Sequence, residues 1–102
     1  MPDVSGNPNL DRERETAKVL RAYFDGDRLR AMPRAGRKRQ VVLEHLVLQF
    51  EPGVHYSEES VNTILRCSYP DVAALRRYLV DAGLMDRAHG EYWRSGGWVD
   101  VS

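Results

Sequence analysis

Arginine is the residue type in this chain with chemistry to offer, and its spacing points to phosphate. Between residues 28 and 39 stand Arg28, Arg30, Arg34, Arg37, Lys38 and Arg39, with no carboxylate among them. Such a run neutralises several phosphates and makes binding fall steeply with salt. Arg76 and Arg77 follow at the end of Val72-Ala73-Ala74-Leu75, and Arg87 and Arg94 flank a Gly-containing turn. The candidate DNA-contacting residues are therefore Arg34, Arg37, Lys38, Arg39, Arg76, Arg77 and Arg87. The bland reading has the basic run solvated, its arginines paired with Asp25, Asp27 or Glu44, and Arg77 paired with Asp81 four residues on.

Other chemistries find less support. Cys67, His45, His55 and His89 show no zinc-type pairing, so no metal site is expected. Cys67 reads as a small buried hydrophobe, His45 as a flank of a helix and His89 as a turn residue. A nucleophile needs a base held beside it, and Cys67 or Ser57 with His55 lacks a promised pocket. No strand–GxxxxGK–helix occurs, and Glu58 and Glu59 are explained by a helix dipole. We expect no catalysis and no cofactor.

The elements that must position the arginines are legible in part. Residues 1–9, with Pro2, Gly6 and Pro8, read as a flexible tail. Asn9 is expected to cap a helix over 10–24 whose apolar face is Ala17, Leu20, Tyr23 and Phe24. That helix has too few apolar positions to stand alone, so it packs on the domain or on a second copy in a homodimer. Asp25-Gly26-Asp27 ends it, and an extended connector carries the basic run to a helix over 37–50 bearing Val42, Leu43, Leu46, Val47 and Phe50. Pro52-Gly53 stops that helix, and residues 54–56 suit a short strand.

Ser57 is placed to cap a third helix with Val61, Ile64 and Leu65 inward. Ser68, with Asp71 three residues on and Pro70 between, resembles a capping box opening a fourth helix. Its apolar positions Val72, Leu75, Leu79 and Ala82 recur at helical spacing, and Gly83 closes it in a left-handed conformation. Residues 84–88 and 91–94 then alternate around His89-Gly90 as a hairpin. Either Tyr92 or Trp93 faces inward, or both rim the core. Residues 95–102 read as a second flexible tail on which Trp98 and Val99 are able to dock.

Helix, strand, two helices and a hairpin make a mainly α (α+β) fold: a winged helix-turn-helix with an extra N-terminal helix and a small β-hairpin wing. One domain over 10–94 accounts for a 102-residue chain with 42% hydrophobic content. No apolar run nears the roughly 18–20 residues of a membrane span, and the N-terminus lacks the pattern of a signal peptide. The lone cysteine fits a reducing cytoplasm, and Met1 is what a complete chain begins with.

The motifs FDGDRLRAMP, RKRQVVLEHLVLQFEPGVHYSEESVNTIL, DVAALRRYLVDAGLMDR and GEYWR together resemble a bacterial family, domain of unknown function two-thousand-and-eighty-seven. The resemblance covers 24–94. It implies a place in transcriptional regulators, where such domains sit behind helix-turn-helix or metal-sensor-like DNA-binding domains or occur alone.

Two functional expectations follow. One is a non-catalytic module that contacts double-stranded DNA weakly through the seven basic residues named above. The other is a protein-interaction or dimerisation domain on the same scaffold. After residue 40, five arginines face nine carboxylates, and Asp71, Ala73 and Ala74 give the fourth helix little base-reading chemistry, which favours the second over strong specific DNA binding. An exposed apolar patch over 64–80 would favour it further.

Overall fold

The structure, a computed structural model, describes residues 8–96. The elements run α1 (Pro8–Tyr23), β1 (Phe24–Asp25), β2 (Arg28–Leu29), α2 (Gly36–Val47), β3 (His55–Ser57), α3 (Glu58–Arg66), α4 (Val72–Asp81), β4 (Met85–Ala88) and β5 (Glu91–Arg94). They form a mixed α+β fold with two small antiparallel sheets, β1–β2 and a three-stranded sheet in the order β3-β5-β4. The expected tails fall largely outside the described residues, as do Trp98 and Val99.

The core is built from the predicted apolar stripes. Val42, Leu43, Leu46 and Val47 of α2 meet Val61 and Leu65 of α3, Leu75 and Leu79 of α4, and Phe50, Leu84, Met85 and Tyr92. Between the two aromatic candidates on β5, Tyr92 points inward and Trp93 stays half-buried, its ring stacked 4.6 Å from His55. The second helix ends at Val47, and a tighter turn carries the chain to Phe50 through N–H groups of Leu48, Gln49 and Phe50 bonded three residues back.

Local capping explains where α3 and α4 begin. Ser57 Oγ accepts the Ser60 N–H at 3.1 Å, as its position predicts. The cap of α4 is Asp71, whose Oδ1 accepts the Ala74 N–H at 3.1 Å, and not Ser68. Ser68 is buried because the chain crosses there: its carbonyl accepts the Leu29 N–H at 2.8 Å and its N–H bonds Leu65. Gly83 sits at φ +75° after α4, with Leu84 N–H on Leu79 and Gly83 N–H on Val80, which is a Schellman closure. His89 and Gly90 both have positive φ, as a type I′ hairpin turn requires.

Four further expectations are corrected. Helix α1 begins at Pro8, so Asn9 lies inside its first turn. Its anchor is Val19, while Ala17 is exposed, because α1 lies against α2 with its Val19 side inward. The segment after α1 is not wholly extended: Phe24 and Leu29 pair across a two-residue turn and bury both side chains. Cys67 is exposed and its thiol donates to the Thr63 carbonyl, so it is not a core residue.

Candidate functional site

The inward turn of Leu75 and Leu79 fixes what α4 shows on its other side. Ala73, Arg76, Arg77, Val80 and Asp81 line a groove of about 200 Å³ against the β4–β5 hairpin, which contributes Arg87 and Tyr92. Arg87 stands directly across from Tyr92 in the strand register, and directly paired residues share a face of the sheet. Hydrogen bonding with the Tyr92 oxygen foremost, and the Glu58 and Asp81 carboxylates behind it, hold the Arg87 guanidinium above its ordinary pKa. An arginine is protonated throughout the ordinary pH range, so this side of the groove stays cationic.

A polar knot supports the groove from beneath. Arg76 Nη1 donates to Asn62 Oδ1, and Arg76 Nη2 lies 3.8 Å from Glu58 Oε1. The same Glu58 oxygen accepts the Tyr92 hydroxyl at 3.3 Å, so one carboxylate joins α3, α4 and β5. Arg76 Nε is buried without a hydrogen-bond partner. Sequence alone explains Glu58 by the helix dipole and nothing more. Its partners lie 18 and 34 positions away, and no local pattern signals them.

The basic run divides between scaffold and surface. Arg37 pairs with Glu15 of α1 at 3.2 Å, in place of Asp25, Asp27 or Glu44. Arg39 is half-buried: its Nε donates to the Pro33 carbonyl at 3.0 Å and its guanidinium lies 4.3 Å from the Tyr78 ring centroid. Arg77 lies 5.7 Å from the same ring and forms no ion pair with Asp81. Asp81 borders both the α4–hairpin groove and a neighbouring hollow lined by Arg39 and Tyr78. The fold thus brings the start of α2 beside the groove, joined over Tyr78. Arg34 and Lys38 are exposed. Asp71 is occupied as a cap, and Arg94 donates to the Gly96 and Phe50 carbonyls.

Residues 28–94 match the family model described as an uncharacterized protein conserved in bacteria, DUF2087. The chain belongs to that family. No curated protein and no solved structure gives a significant match. All seven predicted basic residues fall within the DUF2087 region, as do Glu58, Asn62 and Tyr92, whereas α1 with Glu15 precedes it. Among the described residues, no group of three or more His, Cys, Asp or Glu is placed to hold a metal. No helix of the described residues is long and apolar enough to cross a membrane.

Proposed function

We propose that the chain is a winged helix-turn-helix module of a bacterial transcriptional regulator, non-catalytic and cytoplasmic, that contacts double-stranded DNA through the face made by α4, the β4–β5 wing and the start of α2. The observation that carries this reading is the convergence of Arg76, Arg77 and Arg87 on one groove, continued by Arg39 over Tyr78. The order α2–β3–α3–α4–β4–β5, with β3 paired to β5, supports the winged-helix assignment because it sets a helix beside a hairpin at one edge. Phosphate contact is favoured over base reading. Asp71 is consumed as a cap, Ala73 and Ala74 carry no hydrogen-bonding groups, and Arg77 is the exposed arginine on α4 able to reach a base edge.

The competing reading, a protein-interaction or dimerisation domain, asks for an exposed apolar patch over 64–80. The large hydrophobics that stand exposed among the described residues are Leu48 and Val54, and neither lies there. Leu48 borders a mostly apolar hollow with Leu20 and Val41 between α1 and α2, which is where a partner would dock in that reading. Because Val19 of α1 is already buried on its own domain, a homodimer is not needed to cover that helix.

The test is fluorescence anisotropy with a labelled mixed-sequence duplex at low and near-physiological salt. Salt-sensitive binding that disappears when Arg77 and Arg87 become glutamate is expected. Absence of binding by the unaltered protein at low salt overturns the DNA reading.

A further inference from the structure

We propose that the groove between α4 and the β4–β5 hairpin seats one singly charged phosphodiester, with Arg77 and Arg87 gripping the same phosphate. The proposal deepens the nucleic-acid reading and rests on it for the source of the phosphate, not for the seat itself. A volume of about 200 Å³ is room for a phosphate group and a few waters, each of which occupies about 30 Å³ in the liquid. The apolar part of the lining is Ala73, Val80 and the Tyr92 ring, with the small Ala73 leaving room on α4 and the Asp81 carboxylate standing on the same wall.

Each guanidinium is a planar fork that matches two phosphate oxygens. Arg77 and Arg87 are exposed and are offered to the groove. Arg76 is not: its Nη groups face Asn62 and Glu58, so it lends its charge without its hydrogen bonds.

Charge decides which anion fits. Within the groove and the knot beneath it, three guanidiniums, Arg76, Arg77 and Arg87, stand against two carboxylates, Asp81 on the wall and Glu58 paired with Arg76, leaving one positive charge; Arg39 belongs to the neighbouring hollow and lies outside this set. A phosphodiester carries one negative charge and neutralises it. A phosphate monoester carries roughly −1.5 to −2 near pH 7 and leaves excess negative charge beside Asp81. The two carboxylates therefore tune the groove toward the backbone of a nucleic acid and away from free phosphorylated metabolites.

Two measurements test this. In the first, dimethyl phosphate and, separately, inorganic phosphate at pH 8 are titrated into uniformly ¹⁵N-labelled protein while arginine Nε–Hε signals are followed. Dimethyl phosphate is expected to shift Arg77 and Arg87 saturably and together, inorganic phosphate to do so more weakly, and Asp81→Asn to narrow that difference. Shifts spread evenly over all exposed arginines, no shifts, or equal binding of both anions would overturn the seat.

In the second, the salt dependence of duplex binding is compared for the unaltered protein and for Arg77→Gln, Arg87→Gln and the double variant, each first checked for an unchanged melting curve. A single shared phosphate predicts that the double variant lowers the slope by about 0.9. A fall of about 1.8 means two separate phosphates, and no fall means none; either overturns the shared grip. If the unaltered protein fails to bind duplex while dimethyl phosphate still finds the groove, the DNA reading falls and the seat stands. The opposite pair of results removes the seat and leaves the DNA reading.

Discussion

Removing Asn62 is expected to harm the fold more than removing the arginine it holds. Arg76 is the more buried member of its ion pair with Glu58, with a side chain 19% exposed, a buried Nε that has no partner, and Nη1 donating to Asn62. Asn62→Ala deletes that acceptor and leaves a charged group further stranded. A hydrogen bond to a charged group contributes about 1.5–3 kcal/mol, and most of that is lost because the donor stays part-buried. Arg76→Met removes the same bond but takes the stranded donors away with it and keeps an apolar stem in the groove it lines with Val80 and Tyr92. What remains to lose is the Glu58 contact at 3.8 Å, whose carboxylate is 54% exposed, and such a screened pair contributes about 0–1 kcal/mol. We therefore expect about 2 kcal/mol for Asn62→Ala and no more than about 1 kcal/mol for Arg76→Met. The double variant should be no worse than Asn62→Ala alone. Urea unfolding followed by circular dichroism reads these as midpoint shifts at constant slope. If Arg76→Met proves the costlier single change, the account of the knot as a support held by Asn62 is wrong.

Two stability predictions follow from the core and the closing turn. Leu75→Ala removes a side chain with no solvent exposure from the middle of α4 and should cost about 2–5 kcal/mol, a large share of the roughly 5–15 kcal/mol that holds a domain folded; an unchanged thermal midpoint would mean that α4 is not docked as described. Gly96→Ala would place a Cβ 2.4 Å from the Gly83 carbonyl oxygen, a backbone atom within the Schellman turn, so the strand end must shift at a cost of about 1–3 kcal/mol. A melting curve for that variant superimposable on the parent would show that the approach of residue 96 to residue 83 is not maintained in solution.

Elements whose determinants lie within a few residues of each other were legible from the chain alone. Ser57 caps α3, Gly83 closes α4 and His89-Gly90 turns the hairpin, because each depends on one side chain or one φ angle acting over three or four positions. The apolar spacing of α2, α3 and α4 identified the buried side of each for the same reason. Where two local solutions competed, the fold chose between them. Asp71 rather than Ser68 caps α4 because the helix begins at Val72 and the Ser68 hydroxyl accepts from the Gln49 amide instead, and Val19 rather than Ala17 anchors α1 because α2 is its neighbour.

The sequence by itself determined the order of elements from α2 onward, most of the core and the set of arginines available to meet phosphate. Only the tertiary structure decided which of them act together. Arg37 is taken by Glu15 and Arg39 by Pro33 and Tyr78, whereas Arg77 and Arg87, ten positions apart and on different elements, share one groove. Its charge is set by Asp81, which the chain offers four residues from Arg77, and by Glu58, which nothing near it in the chain marks as a partner. Charge–charge energies depend on distance through space and on burial, and both come into being only when α3, α4 and the hairpin close on Leu75, Leu79 and Tyr92.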